Sequence, residues 1–461
     1  MSFRRAVTKT PVRMTATTNG MATHTSSGNP LLDFFATSGA MRQWSEGRIV
    51  NAFNAAFNHD PLNALRALFY ARDARNGQGE RRLFRVILKD LAERYPNVVA
   101  ANLPLVSKYG RWDDLMATEG TEMEPAAAAL WINAIGEGNR LAAKWAPRKG
   151  HWFGLMQRLA DTTPRGWRKT LVAHTDVVES RMCRKMFDTI DYKSVPSRAA
   201  MIYRRAFAKR DHARYDAFIK AALKGDVKIN ASVLYPHEFA SRFQRGPDAT
   251  LEAQWKNLPD WITSGRGFLP MCDVSGSMSG QPMDVSIGLG VYLAEKNKSA
   301  FKDLVVTFSE SPTFVDLSNH HTVRGKMLEV RSAPWGMNTD LTKAFQIMLE
   351  LATREKVAPE DMPQSVLIIS DMQFDGCVTR TGMQTIERLY RLAGYTVPQV
   401  VFWNVNAHAG QSPVTEHKSG AALVSGFSPS IMKSILSRSP QATPVEVMME
   451  TLEKYDDVRV G

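Results

Sequence analysis

Hydrophobic positions recur with helical spacing through residues 30–240 and change rhythm after residue 266. In the first stretch Leu83, Val86, Ile87 and Leu91 share one face, while Arg81, Arg82, Arg85 and Lys89 fall largely elsewhere. The segment Arg198–Phe218 has the same character, aromatic and aliphatic positions interleaved with arginines. Breaks come at Asp60-Pro61, Tyr95-Pro96, Gly136–Gly138, Pro147–Gly150 and Pro196. Few segments alternate with period two. The pattern predicts successive antiparallel helix pairs of a HEAT-like helical repeat, on rhythm alone, since no fixed-period sequence repeat is present.

After residues 240–265, a connection containing Gly246-Pro247 and Leu258-Pro259, the apolar runs become short and rich in β-branched residues. They are Phe268–Cys272, Leu304–Phe308, Val366–Ile369 and Val400–Trp403. Helical patterns separate them at 282–297, 339–356, 380–394 and 427–437, and a last one runs from Pro444 to Val458. Near-continuous apolar strands alternating with helices predict a buried, mostly parallel sheet. Thr313–Leu317 fits an antiparallel edge strand. Residues 1–30, rich in Thr, Ser, Gly and Asn, read as a flexible arm. The expected division is therefore arm 1–30, helical domain 31–265, and α/β domain with a C-terminal helix 266–461.

Charge divides the chain along the same line. The net +12 resolves into 40 basic against 25 acidic residues in 1–265, and 18 against 21 in 266–461. The helical half is the part suited to a polyanion. A basic but merely solvated surface is the alternative. Three cysteines, Cys183, Cys272 and Cys377, form no CxxC pair, so neither a zinc site nor a disulfide framework is expected. A reducing, cytoplasmic setting fits. No apolar run is long enough to span a membrane, and the N-terminal segment lacks the apolar stretch of a secretory signal. The phosphate loop GxxxxGK[ST], a strand-borne GxGxxG and HExxH are all absent. His320-His321 has no nearby Cys or carboxylate partner in sequence and reads as surface.

The chemistry-bearing segment is Asp273-Val274-Ser275-Gly276-Ser277, between the apolar run ending at Cys272 and a helix pattern from about Pro282. Alternate residues of an extended loop point the same way, so one carboxylate and two hydroxyls can converge on a hard cation such as Mg²⁺. An incidental Ser/Gly turn is the competing reading. Thr339 stands on a loop before a helix, and Asp371 follows the apolar run that ends at Ser370. Ligands of doubly wound sheets gather at the carboxyl ends of strands, so these loops are expected to meet. Thr342 is a neighbouring hydroxyl; Thr339 is preferred because it precedes the helix. Asp340 and Asp375 are nearby acids without an assigned role.

Asp273-x-Ser275-x-Ser277, Thr339 and Asp371 together resemble the metal-ion-dependent adhesion site of von Willebrand factor A domains, over about residues 266–440. The resemblance implies a Rossmann-like α/β domain. It also implies that Ser275, Ser277 and Thr339 coordinate Mg²⁺, with Asp273 and Asp371 around it largely through waters and one position open to a partner's carboxylate.

In the helical half, Phe69-Tyr70-Ala71-Arg72-Asp73-Ala74-Arg75-Asn76-Gly77-Gln78-Gly79-Glu80-Arg81-Arg82 and Lys108-Tyr109-Gly110-Arg111-Trp112-Asp113-Asp114-Leu115 are similar to motifs of the Ro autoantigen (TROVE) family. The residues around Ala142–Pro147 and Val195–Arg198 look closer to an uncharacterised branch related to it. The resemblance implies a ring of helical repeats closed by the A domain, without catalysis, binding small structured or misfolded RNA on a basic outer surface. The A domain would recruit a protein or stabilise the ring.

Phosphate contacts would come from Arg72, Arg75, Arg81, Arg82, Lys108, Arg111, Arg140, Lys144, Arg148, Lys149, Arg168 and Lys169. Trp112, Trp145 and Trp152 are candidate stacking partners for unpaired bases. The bland reading is that Arg72, Asp73, Arg75 and Glu80 satisfy one another between two helices, and that Trp112 anchors a core. Arg140, Lys144, Arg148 and Lys149 stand beside a Pro/Gly loop and form the favoured patch. Two other classes of function remain: a protein-assembly module whose metal docks an acidic partner residue, and a metal-assisted enzyme on RNA, for which no paired general base is evident.

Overall fold

A computed structural model describes residues 12–262, 264–308, 312–333, 341–374, 382–407 and 411–461. Thr339, Asp340, Asp375 and Cys377 lie outside the described residues.

Helices fill the first half because the sequence supplies their ends as well as their apolar faces. Asn29 accepts from the backbone N–H of Leu31 and Leu32 to open helix Pro30–Ser38. Asp60 accepts from Asn63 N–H to open Pro61–Arg72, whose first residue, proline, has no N–H left to satisfy. Thr163 and Asp248 start helices Pro164–His174 and Ala249–Lys256 in the same way. Two hydrophobic cores result. The larger runs from Met21 through the first helices and continues into the C-terminal sheet. The smaller gathers Ile190, Tyr192, Val195, Phe207, Tyr215 and Ile219 around helices Ser197–Arg210 and His212–Lys224.

Among the described residues the C-terminal half forms one six-stranded sheet. Its strands are β3 (Phe268–Asp273), β4 (Leu304–Phe308), β5 (Thr313–Asp316), β6 (Ser365–Ser370), β7 (Gln399–Asn404) and β8 (Ala421–Ser425). These described strands lie in the order β5-β4-β3-β6-β7-β8, and among them only the β4–β5 pair is antiparallel. β3, β6, β7 and β8 are buried along their whole lengths, as a sheet covered on both faces requires. Helix Gln281–Lys296 packs on β3 and β6 and on helix Pro236–Phe243 of the helical half.

The helical half leaves the sheet domain and returns to it. Helix Pro30–Ser38 lies against β8 at the start, and Pro236–Phe243 lies against Gln281–Lys296 at the end. The chain's last residues also tie the halves together. Asn102 Nδ2 donates to Arg459 O (2.7 Å), and Arg459 N–H donates to Asn102 Oδ1 (2.9 Å). Tyr109 Oη donates to Asp457 Oδ1 (2.8 Å), while Tyr455 and Val458 are buried. The final helix is correspondingly shorter than its periodicity predicts, Pro444–Leu452. No described helix is long and apolar enough to cross a membrane.

Residues 12–29 correct the expectation of a flexible arm. They form a hairpin, β1 (Met14–Ala16) with β2 (Ala22–His24), docked on the loops that follow β6 and β7. Thr17 Oγ1 donates to Phe374 O (2.6 Å), Asn19 Nδ2 to Gln373 O (2.8 Å), and Gln411 Nε2 to Ala16 O (2.8 Å). His24 and Ser412 exchange backbone hydrogen bonds at 3.0 Å. The polar side chains that make the segment look unstructured are the groups that hold it.

Candidate functional site

Strand register places the metal candidates. β3 and β6 are parallel neighbours with Cys272 opposite Ile369, so Asp273 and Ser370 end adjacent strands and Asp371 begins the next loop. Ser370 Oγ donates to Asp273 Oδ2 (2.6 Å) and Ser275 N–H donates to Asp273 Oδ1 (2.9 Å). Gln373 N–H donates to Asp371 Oδ1 (3.1 Å). Ser275 Oγ and Ser277 Oγ stand 3.1 Å apart. Asp273, Ser275 and Asp371 are buried, while Ser277 opens to solvent.

Burial, together with the nearby charge of Asp371, pushes the Asp273 carboxyl up to about 6. None of the described ion pairs involves Asp273. A carboxyl buried as Asp273 is costly as an anion, and a cation beside it would offset that cost. The hydroxyl spacing also suits two adjacent positions of an octahedral Mg²⁺, which ligand distances of about 2.1 Å set near 3 Å. Among the described residues no group of three or more His, Cys, Asp and Glu gathers to hold a metal. Any ion here would rest on this mixed hydroxyl–carboxylate set. Four of the five expected residues thus share one sheet edge, and Thr339 lies outside the described residues. His320 is engaged with Glu329 at 3.3 Å.

The basic candidates divide into two groups. Those drawn from the two sequence motifs all make contacts within the fold, although Arg75, Arg81, Arg82 and Lys108 also keep exposed surface. Arg72 is 3% exposed, its Nε and Nη2 at 2.7 and 2.6 Å from Asp114 Oδ2. It cannot touch a ligand in the folded protein, and the expectation that it meets RNA is corrected. Arg81 pairs with Asp113, and Arg85 reaches Asp114 Oδ1 (2.7 Å). Arg111 Nε donates to Asp113 Oδ1 (2.9 Å) while its guanidinium lies 3.8 Å from the Trp145 ring centre. Arg82 Nη1 donates to Trp44 O (2.8 Å), Arg75 Nη1 to Lys108 O (3.4 Å), and Lys108 pairs with Asp457.

The loop between these motif helices is a tie as well. Gln78 accepts from Ser38 Oγ (2.9 Å) and donates to Ser425 O (3.2 Å) in β8. Glu80 pairs with Arg42, and Tyr235 Oη donates to Ala74 O (3.3 Å). A Cβ on Gly77 would lie 2.0 Å from Tyr70 O. The first helix, the residue that caps helix Pro236–Phe243 and the sheet therefore meet at this one loop. The aromatics follow suit. Trp152 is buried, which corrects its reading as a stacking platform, and Trp112 stacks on Trp131 at 6.3 Å. Trp145 is covered on one face by Arg111.

The second group remains at the surface. Lys149 and Lys169 are exposed, with no hydrogen bond or ion pair described on their ammonium groups. Arg168 is exposed beside Phe153, 4.9 Å from the ring centre. Arg140 is 3.5 Å from Asp176 yet keeps 68% of its side chain exposed. Arg148 donates to Ala143 O and Thr175 Oγ1, both at 3.2 Å, and Lys144 pairs with Glu179 at 2.8 Å. Arg158, Arg165, Arg184 and Lys185 are exposed in the same segment and were missed as candidates. Local charge density would have found them. Residues 140–228 hold 21 Lys and Arg against 8 Asp and Glu, a net +13 of the +15 carried by residues 1–265.

Known proteins resemble this chain over most of its length. Residues 17–118 and 154–264 match a domain of unknown function (DUF2828), and residues 268–459 match another (DUF7788). An uncharacterised protein of Acanthamoeba polyphaga mimivirus is 29% identical, over 95% of this chain and 87% of its own length. The crystal structure of the Ro (RSR) protein of Deinococcus radiodurans superposes with a TM-score of 0.50 at 14% identity. That match covers 93% of this chain and all of the Ro protein. The fold is therefore Ro-like: a many-helix half followed by a mostly parallel six-stranded α/β domain.

Proposed function

We propose that this protein binds small structured or misfolded RNA through residues 140–228 of its helical half, as an RNA scaffold or quality-control factor rather than an enzyme. The concentration of a net +13 in one stretch of the chain, with Lys149, Arg168 and Lys169 exposed on it, on a Ro-like fold whose sheet domain is net −3, carries this reading. Counterion release by such a segment supplies sequence-independent affinity. The side chains at the sheet edge are hydroxyls and carboxylates, with no imidazole or thiol among the described partners of Asp273, Ser275 and Ser277. Protein purified without nuclease should carry RNA, seen as excess absorbance at 260 nm over 280 nm and identified by sequencing. A nucleic-acid-free sample that binds no added structured RNA at low salt would refute the proposal.

The sheet edge is read as a separate Mg²⁺ site, held by Ser275 and Ser277 with Asp273 and Asp371 around it. Thr339 belongs to the same proposal. It serves to dock a carboxylate of a protein partner or to stiffen the join between the halves. Added Mg²⁺ should raise the melting temperature of the wild type but not of Ser275→Ala, while both bind RNA equally. An equal Mg²⁺ response in the two proteins would remove the site.

A further inference from the structure

The N-terminal hairpin grips the turn that carries Asp371. Thr18 N–H donates to Gln373 Oε1 (3.0 Å) and Asn19 Nδ2 to Gln373 O (2.8 Å). Gln373 is buried, and its N–H donates in turn to Asp371 Oδ1 (3.1 Å). Thr17 Oγ1 donates to Phe374 O (2.6 Å) and accepts from Met21 N–H (2.9 Å), which ties the next residue of the turn to the hairpin's own bend. Thr23 and Asp371 line a common cavity of about 10 Å³, at the lower limit for one water. The turn needs such support. Met372, between Asp371 and Gln373, has a φ of +64°, a left-handed conformation that is costly for a residue with a side chain. Its N–H donates to Ser370 Oγ (3.1 Å), and the same hydroxyl donates to Asp273 Oδ2 (2.6 Å). One turn therefore has Asp273 at one end and the hairpin at the other. The hairpin depends on the turn as well. Its strands are three residues each, too short to stand alone, and among residues 12–24 Met21 is the one apolar side chain in the core.

We infer that Gln373 couples the hairpin to the metal edge: the docked hairpin sets Asp371 for Mg²⁺, and Mg²⁺ at that edge holds the hairpin down. The inference rests on the Mg²⁺ reading above and adds a regulatory element to it. Gln373 is a positioning residue, acting on the site through Asp371. By linkage the two effects are one free energy. The factor by which docking raises Mg²⁺ affinity is the factor by which Mg²⁺ lowers the undocked population. Pulling the hairpin away therefore weakens the metal site without touching it.

The test uses the full chain and Mg²⁺ alone, with affinity read by calorimetric titration. Thr18→Pro/Asn19→Ala removes both bonds to Gln373 from exposed positions. Proline suits the second position of the turn that Gly20 N–H closes on Thr17 O (3.0 Å). Mg²⁺ affinity should fall about fivefold, the low end of coupling between sites. It should not change in Met14→Ala, an exposed position of the same hairpin with no described bond to the turn. Trypsin supplies the reciprocal readout. Arg13 N–H donates to Thr25 Oγ1 (3.3 Å) and Arg13 O accepts from Thr25 N–H (2.9 Å), so cleavage after Arg13 requires the hairpin to open. Saturating Mg²⁺ should slow that cut about fivefold in wild type, and should not slow it in Ser275→Ala or in the double variant. Equal Mg²⁺ affinity in wild type and the double variant overturns the inference and leaves the metal reading standing. So does a cut after Arg13 that is indifferent to Mg²⁺ in a wild type that binds it. A wild type that binds no Mg²⁺ overturns both.

Discussion

Arg72 and Asp114 form a pair with almost no exposure on either side, so the arginine's charge acts inside the molecule. Removing one partner of a buried pair costs about 3–5 kcal/mol. Arg85 also reaches Asp114, which puts Arg72→Met near the lower end, about 3 kcal/mol. The urea midpoint should fall accordingly, and RNA affinity per folded molecule should not change. Unchanged stability with weakened RNA binding would put Arg72 at the interface. Glu80 makes a second prediction. Burial raises its carboxyl from 4.5 to about 7, against the opposing charge of Arg42. The native state holds a proton that the unfolded chain releases, so this contribution to stability is complete below pH 4.5 and is lost as pH rises through 7. Its full size is on the order of 3 kcal/mol. In Glu80→Gln, melting temperature relative to wild type should therefore rise in the variant's favour between pH 5 and pH 8. A difference that stays flat across that window would show that Glu80 is charged throughout. The sequence could name these acids and bases but not their partners, because Arg72 meets an aspartate 42 positions away. Asp273, Ser275, Ser277 and Asp371 were legible because each stands at the end of an apolar strand, and strand ends of a parallel sheet share one edge.

The loop Asn76-Gly77-Gln78-Gly79-Glu80 joins three elements through side chains and close backbone approach. Gly77→Ala would press a methyl group onto Tyr70 O and draw Gln78 away from Ser38 and Ser425. A loss of at least about 2 kcal/mol is expected, with a new protease-sensitive site in residues 73–80. A variant with wild-type stability and protease resistance would show that the loop is not the tie. At this scale most elements could be read from spacing and end signals, down to the polar antiparallel edge strand β5. β8 escaped because Ala421-Ala422-Leu423-Val424-Ser425 is short and three of its five residues are small, and its neighbour β7 with helices Pro30–Ser38 and Pro444–Leu452 make it a strand. The hairpin at 12–29 escaped because its stability lies in hydrogen bonds to loops more than 350 residues away. The Ro-like motifs pointed correctly to the fold, while Arg72, Arg81 and Arg111 within them pair with Asp113 or Asp114 of the same protein.

Across the whole molecule, charge is distributed as the proposed division of labour requires. The helical half leaves the sheet and returns to it, anchored at the Gln78 loop, at Pro236–Phe243 and by the C-terminal residues. The net positive charge sits on the segment between those anchors. Binding should depend on residues 140–228 and be indifferent to the sheet edge. The most direct measurement is the salt dependence of binding to one structured RNA with a single-stranded end, for wild type and for Lys149→Glu/Arg168→Glu/Lys169→Glu. These three side chains are exposed, and their replacement leaves the described ion pairs intact. The account predicts a steep fall in wild-type affinity with salt, and a triple variant that folds normally but binds at least about tenfold more weakly with a shallower slope. Equal affinity and equal slope in the two proteins would contradict it.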